Sequence, residues 1–166
     1  MTEPRQDLQS VHQEYQQFLE GFQSVQLATV DDAGRPEASY AVYIRHENDY
    51  YVYVSELARH TRNMLNSGHV SLQFIEDEQQ AKNLFARRRA TLQCTADEIP
   101  RGSDHFETIL DQLEQRFGNF MTLLKSLNDF HLVKITPVSG NYVRGFAQAF
   151  NLSGEGLSEI SHSKGA

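Results

Sequence analysis

Three consecutive arginines, Arg87, Arg88 and Arg89, form the strongest basic cluster in a chain whose formal net charge is -7. If this segment enters a strand, the alternation of side chains puts Arg87 and Arg89 on one face and Arg88 on the other. A guanidinium keeps its charge and offers a fork of N–H donors that suits carboxylates and phosphates. A solvated strand entry is the ordinary explanation, and it holds for one or two of the three arginines.

His162 and Asp129 also have side chains that could take part in chemistry, and each has an ordinary explanation. His162 lies in SGEGLSEISHSKGA, and small polar residues of this kind are typical of a loose terminus. Taken alone, this composition indicates a solvated histidine near a frayed end of the chain. Asp129 lies in SLNDFHLVKI, between a predicted helix and a predicted strand, where an aspartate commonly forms a turn or a cap.

His60 lies in the polar stretch LARHTRN, where the ordinary explanation is a helix-surface histidine bonded to a nearby carboxylate. Cys94 is the only cysteine, so it has no CxxC partner. The GEG of the last segment is not a GxGxxG following a strand, so no dinucleotide fold is indicated. The remaining histidines, which have no zinc-site spacing, are His12, His46, His69, His105 and His131.

The elements that must position these residues begin with a helix. Apolar residues recur at spacings of three and four, which predicts a helix with one apolar side. These residues are Leu8, Val11, Tyr15, Phe18, Leu19 and Phe22. A strand from Val25 to Val30, a turn at DDAGRP and an alternating segment from Ala38 to Arg45 follow, and then a strand at YYVYVS.

The second half of the chain adds one more alternating strand on each side of the arginine cluster, around Leu72 and Leu92. A helix is predicted through ELARHTRNML, and two further helical stripes meet near Gly118. Closing strands are predicted over 131–135 and 140–147. We therefore expect one mainly β domain with flanking helices over residues 1–150 and a flexible tail over 151–166, in a closed barrel of about six antiparallel strands.

Composition limits the class of protein. The 166 residues are enough for one ordinary domain, and no apolar run reaches the length of a membrane span. The N-terminal segment MTEPRQDLQ is polar and acidic, unlike a secretory signal, and the lone cysteine gives no sign of an oxidising compartment. The net charge of -7 disfavours nucleic acid as a partner. We expect a soluble protein of the cytoplasm with no membrane insertion.

Three segments resemble a known family: LATVDDAGRPEASYAVYIR, YYVYVSELARHTRNML and VSLQFIEDEQQAKNLFARRRATLQC. They resemble the FMN-binding split-barrel family whose best-known members oxidise pyridoxamine 5'-phosphate. Within it, SELARHTRN and FARRRATLQ look like the HugZ/HutZ-type heme-utilisation proteins. The resemblance implies a split β-barrel that forms a homodimer, with its ligand sites at the subunit interface.

The resemblance also implies roles for the candidate residues. In the heme-handling branch a histidine of the C-terminal loop binds the heme iron, and His162 takes that position. Asp129 matches an aspartate that accepts a hydrogen bond from this histidine across the dimer, which orients the imidazole and strengthens it as a ligand. Arg89 matches the arginine above the open side of the iron, where a guanidinium can donate hydrogen bonds to oxygen or peroxide.

Arg87 or Arg88 would then meet a heme propionate, or a flavin phosphate if the protein binds FMN instead. His60 would support the site near the heme edge and the interface. The implied function is heme binding and oxidative heme degradation that releases iron, with electrons from an external reductant. One alternative is an FMN-dependent oxidoreductase of the pyridoxamine 5'-phosphate oxidase type, with the flavin phosphate held by residues around the polar helix. Those residues are Ser55, Arg59, Thr61 and Arg62. The other alternative is a heme carrier, which needs His162 but no arginine at the open face.

Overall fold

The computed structural model describes residues 7–164 and contains four α-helices and nine strands within them. The helices are α1 Leu8–Glu20, α2 Arg59–Ser67, α3 Asp104–Phe117 and α4 Asn119–Lys125. The first five strands are β1 Ser24–Val30, β2 Pro36–Val42, β3 Ile44–His46, β4 Asp49–Ser55 and β5 His69–Ile75. The others are β6 Arg89–Ile99, β7 Phe130–Gly145, β8 Gln148–Ser153 and β9 Glu159–His162. The expectation of a mainly β chain with flanking helices is confirmed.

The strands form one antiparallel sheet that closes on itself. Its order is β2-β1-β5-β6-β7-β4-β3, with β8 and β9 added beyond β7. Only Tyr43 separates β2 from β3, so the two ends of this order are consecutive in the chain and the sheet forms a barrel. Counting β2 and β3 as one strand gives the expected six, and β8 and β9 extend the sheet beyond them.

Alternate side chains of β1, β5 and β6 fill the barrel interior, as the period-2 pattern predicts. The buried ones are Val25, Leu27, Val70, Leu72, Phe74, Ala90, Leu92, Cys94 and Ala96. Helix α1 covers this interior with Tyr15 and Phe18, which are both buried. Truncating a fully buried side chain such as Leu92 to alanine would cost about 2–5 kcal/mol, so this packing fixes the register of the strands.

Helices α3 and α4 form a second layer against β3, β4 and β7. The apolar stripe of α3, which includes Phe106 and Leu110, packs on Tyr51 and Tyr53 of β4. The predicted break at Gly118 is confirmed, since its φ of 76° lies in the region that favours glycine. Within residues 7–164, none of the helices has the length and apolar character needed to cross a bilayer.

One face of β6, β7 and β8 is turned towards α1, and we call it the α1 face. The hydroxyl of Tyr142 in β7 donates to Glu14 Oε1 of α1 at 2.8 Å. Arg144 Nη2, two residues further along β7, lies 2.9 Å from Glu14 Oε2. The side chains of these strands that point the other way form the outer face.

The C-terminal segment differs from the expected loose tail. Strand β8 crosses the expected boundary at residues 150 and 151, and β9 pairs with it antiparallel, with Phe150 opposite His162. An edge strand can be held by backbone hydrogen bonds without an alternating sequence, which is why the pattern of residues did not reveal it. Leu152 and Leu157 are buried and anchor the segment to the core. Residues 165 and 166 lie outside the described residues.

Candidate functional site

The first two arginines of the cluster precede the strand that was expected to carry them. Strand β6 begins at Arg89, after a short 3-10 turn at Leu84–Ala86. The Arg87 guanidinium donates from Nε and Nη2 to the Glu76 carbonyl oxygen, at 3.1 and 2.5 Å. Arg87 therefore holds the end of the 76–88 loop together.

Arg88 lies on the α1 face. Its Cζ is 5.1 Å from the centroid of the Phe18 ring of α1, and its Nε is 3.5 Å from Glu76 Oε2. A guanidinium above an aromatic face is attracted to the ring quadrupole, so Phe18 helps to orient Arg88. The Arg88 side chain is 45% exposed, which leaves it accessible to a ligand in this position.

Arg89 lies on the outer face. It pairs with Ile75 of β5 and Val143 of β7, and its neighbour Ala90 points into the buried interior. Arg89 Nη1 donates to the Arg87 carbonyl oxygen at 3.1 Å. Arg88 and Arg89 thus point to opposite faces, in agreement with the alternation expected from the sequence.

His162 lies on β9 at the edge of the sheet, with its side chain exposed. Its ring stacks at a tilt on Phe150 of β8, with 5.1 Å between the two centroids. In the register of the sheet, Tyr142 pairs with Phe150 and Phe150 pairs with His162. His162 therefore shares the α1 face with these two aromatic residues, and its exposed imidazole is a candidate metal ligand.

His162 and Arg89 do not converge within one chain. Across the sheet, Arg89 pairs with Val143, and Val143 pairs with Ala149. Val143 and Ala149 are the immediate chain neighbours of Tyr142 and Phe150, the residues that align with His162. Since successive residues of a strand face opposite sides, the two side chains lie on opposite faces of the sheet. A site that uses both of them must take them from two copies of the chain.

Asp129 lies at the other end of β7 from His162. Its Oδ2 accepts a hydrogen bond from the Ser55 hydroxyl at 2.8 Å, and its carbonyl oxygen accepts one from the Glu56 amide at 2.8 Å. The 16-residue strand β7 begins just after Asp129, and His162 aligns, through Phe150, with Tyr142 near the far end of that strand. The structure therefore does not bring Asp129 to the imidazole of its own chain.

His60 is half-buried in the first turn of α2. Its Nδ1 is 2.9 Å from the Ser39 hydroxyl of β2. Burial lowers the pKa of His60, and the nearby Glu37 carboxylate opposes that effect only in part. The neutral ring, which can accept a hydrogen bond at one nitrogen, is therefore favoured at neutral pH.

The residues expected to hold a flavin phosphate are already engaged with protein groups. The Thr61 hydroxyl is buried and donates to the Ser55 carbonyl oxygen at 2.6 Å. The Ser55 hydroxyl donates to Asp129, and Arg59 Nε lies 2.9 Å from Glu37 Oε1. Arg62 is exposed on the same helix. A phosphate bound here would have to replace several of these contacts.

One polar cluster near Asp129 could not be found from the sequence. His131 Nε2 lies 2.7 Å from Glu56 Oε1, and its Nδ1 lies 2.5 Å from Glu98 Oε1. The hydrogen bond to Glu98 is the main cause of a raised pKa for His131, and the bond to Glu56 adds to it. These carboxylates are far from His131 in the sequence, so no local spacing could indicate the contact. Within residues 7–164, no group of three or more His, Cys, Asp or Glu side chains is arranged to hold a metal ion.

Comparisons with known proteins agree over most of the chain. A family model described as pyridoxamine 5'-phosphate oxidase matches residues 11–144. The heme oxygenase HutZ of Vibrio cholerae is 40% identical over 149 residues, which cover 90% of this chain and 85% of that protein.

Two solved structures extend this similarity to three dimensions. The crystal structure of HutZ from Vibrio cholerae, described there as a heme storage protein, matches with a TM-score of 0.72 and 39% identity. That match covers 75% of this chain and 88% of the other. The crystal structure of ChuZ from Campylobacter jejuni matches with a TM-score of 0.84 and 30% identity, covering 96% of this chain and 64% of the other.

Proposed function

We propose that this chain, which belongs to the pyridoxamine 5'-phosphate oxidase family, binds heme and degrades it oxidatively, with electrons from an external reductant. The observation that carries this proposal is the 40% identity to a heme oxygenase over 90% of the chain. The matching structures have the same split barrel, and heme, when bound, supplies the iron at which oxygen is activated. The proposed location is the cytoplasm, where reductants would supply the electrons for this chemistry.

His162 is the proposed iron ligand. An exposed imidazole on a paired edge strand is accessible to a large planar ligand, and the Phe150 ring restricts its orientation. His162 would hold the iron through one imidazole nitrogen. These features of His162 fit a heme site better than a solvated histidine on a loose tail.

A homodimer completes the proposed site. His162 and Arg89 lie on opposite faces of one sheet, and Asp129 lies at the far end of β7, so two copies are needed to combine them. Asp129 of one copy would accept a hydrogen bond from His162 of the other and hold its orientation. Arg89 would supply charged N–H donors to the oxygen chemistry that bound heme would support.

The remaining candidates have supporting roles. Arg88 lies on the same face as His162 and is accessible to a ligand carboxylate. Arg87 holds the loop that precedes it by bonding the Glu76 carbonyl oxygen. His60, neutral and bonded to Ser39, supports the interface side of the site.

The test is a hemin titration of the purified protein, followed by addition of ascorbate. We expect a Soret band on binding and reductant-dependent loss of that band. His162→Ala should weaken binding or change the coordination spectrum, whereas His69→Ala, which alters an exposed histidine on β5, should do neither. An unchanged spectrum in His162→Ala would show that His162 is not the iron ligand, and His60 and His131 would then be tested in the same way.

The same measurement separates the two alternative functions. A carrier would bind hemin through His162 but show no reductant-dependent loss, and the description of the Vibrio cholerae structure as a heme storage protein keeps this alternative open. A flavin-dependent oxidase would be yellow as purified. The engaged state of Ser55, Thr61 and Arg59 argues against a phosphate at α2.

A further inference from the structure

Strand β9, which carries the proposed iron ligand His162, is held by little backbone pairing. It has four residues, and among the strands of residues 7–164 it pairs only with β8. A short strand at the edge of a sheet opens more readily than one with neighbours on both sides. The direction of the His162 imidazole therefore depends on the contacts that fix the start of β9.

The chain enters β9 through a tight bend over residues 154–158, which we call the 154–158 bend. It contains a 3-10 turn at Glu155–Leu157, and the Leu157 amide donates to the Gly154 carbonyl oxygen at 3.1 Å. Leu157 has a φ of 55°, in the left-handed region that a residue with a Cβ adopts only at a cost in energy. Its side chain is buried, so the surrounding structure holds this conformation in place.

His12 of α1 holds the 154–158 bend from the helix side. Its Nε2 donates to the Leu157 carbonyl oxygen at 2.9 Å. Because a carbonyl oxygen can only accept, this contact requires the imidazole hydrogen on Nε2. The His12 ring also packs at a tilt on the Tyr15 ring, with 5.8 Å between the centroids, which limits its rotation. The hydrogen bond therefore ties the bend to a helix that is itself packed on the barrel.

The turn between β3 and β4 closes the other side of the bend. A Cβ added to Gly156 would lie 2.7 Å from Asn48 Cγ and 2.8 Å from Asn48 Nδ2. Non-bonded atoms do not approach so closely, and the φ of 61° at Gly156 also favours glycine. The 154–158 bend thus lies between His12 and Asn48, with little room to move.

We propose that His12 is a positioning residue for His162. By holding the Leu157 carbonyl oxygen, it sets the point at which β9 starts and so the direction of the imidazole that would bind the heme iron. A ligand that is oriented before heme arrives loses less conformational freedom on binding. This inference rests on the proposed function and adds to it a residue that acts through the backbone of the bend.

The first measurement is amide hydrogen exchange of the heme-free chain. His12→Ala removes the donor to Leu157, so the amides of β9 should exchange roughly three- to tenfold faster. This factor corresponds to the loss of one hydrogen bond of ordinary net strength. The measurement needs no ligand and reports only how firmly β9 is held.

The second measurement is the electron paramagnetic resonance spectrum of the ferric hemin complex. The rhombic splitting of that signal depends on the orientation of the axial imidazole, so His12→Ala should shift the g values or add a second set. A residue that contributes only to stability would leave the signal unchanged, because the molecules that remain folded would keep the wild-type geometry.

Three variants are compared with His12→Ala in both measurements. His12→Gln keeps an N–H donor close to the position of Nε2 and should restore the wild-type results. Gln13→Ala, at the next and exposed position of α1, is the matched control and should change neither measurement. Gly156→Ala disturbs the 154–158 bend from the Asn48 side with His12 intact, so it should reproduce both effects.

The outcomes separate this inference from the proposed function. If the wild type binds no hemin, the proposed function fails and the inference fails with it. If the wild type binds hemin but His12→Ala keeps its signal, His12 does not position His162, and heme binding stands. The inference is also overturned if His12→Gln behaves like His12→Ala. If His12→Ala does not fold, Gly156→Ala decides, and a wild-type signal in that variant overturns the inference.

Discussion

Strand β7 begins beside Asp129 and ends beside Arg144, and the polar groups at its two ends are arranged differently. At the beginning, Asp129, Glu56 and Glu98 surround His131 and Ser55 in a cluster rich in carboxylates that is bonded within the chain. At the other end, arginines line an open groove and the imidazole of β9 is exposed.

The two ends of β7 show how one chain could supply both halves of a site. The acidic end and the basic end are too far apart to meet in one copy, but they carry complementary charges. In the proposed homodimer, the acidic end of one copy would approach the histidine of the other, which is the arrangement that a carboxylate behind a ligating imidazole requires.

The largest expected effect concerns Arg89. Arg89→Ala should bind hemin nearly normally yet lose reductant-dependent degradation by two to three orders of magnitude, about 3–4 kcal/mol, because a positioned donor is removed from developing charge. The rate is measured as loss of the Soret band at saturating hemin.

Arg88→Ala is the informative contrast, because Arg88 points to the opposite face. It should alter hemin affinity and not the rate at saturation. Identical behaviour of the two variants would contradict the register of β6. Retained activity in Arg89→Ala would remove the outer face from the site.

The second-largest effect is expected at Asp129, at the acidic end of β7. Asp129→Asn keeps an acceptor for the Ser55 hydroxyl but removes the negative charge, so hemin should still bind while turnover falls about 10- to 100-fold. Ser55→Ala keeps the carboxylate and should have a smaller effect. A wild-type rate in Asp129→Asn would mean that this carboxylate only organises the turn before β7.

The smallest effect is a pH dependence of stability at the same end. Hydrogen bonds to Glu98 and Glu56 raise the pKa of His131 above the unfolded value near 6.5. The protonated ring therefore stabilises the fold fully below about pH 6.5, and that stability is lost as pH rises through the folded pKa. We expect a change below about 1 kcal/mol for this partly exposed cluster, measured as urea unfolding across that range.

His131→Gln should flatten this part of the stability profile. The exposed histidine on β5 offers a matched control, since His69→Gln should leave the profile unchanged. A profile that is identical in wild type and His131→Gln would show that the two carboxylates contribute nothing measurable to folding.

Local patterns in the sequence determined most of the barrel. Alternation around Leu72 and Leu92 predicts β5 and β6 correctly, because each side chain of a strand in a closed barrel is either inside or outside. The apolar stripe of α1 and the break at Gly118 depend on residues close together in the chain. The arginine cluster was also visible, and the opposite directions of Arg88 and Arg89 followed from the same alternation.

Only the tertiary structure decided which of the candidate residues can act together. Glu14 and Arg144 meet because α1 packs on β7, and His131 meets Glu98 because β6 pairs with β7. Strand β9 exists because an edge of β8 was available for backbone hydrogen bonds, which depend little on side-chain identity. Contacts between distant segments and pairing at an edge leave no periodic trace in the sequence, so the placement of Arg89 and His162 on opposite faces could be found only in the folded chain.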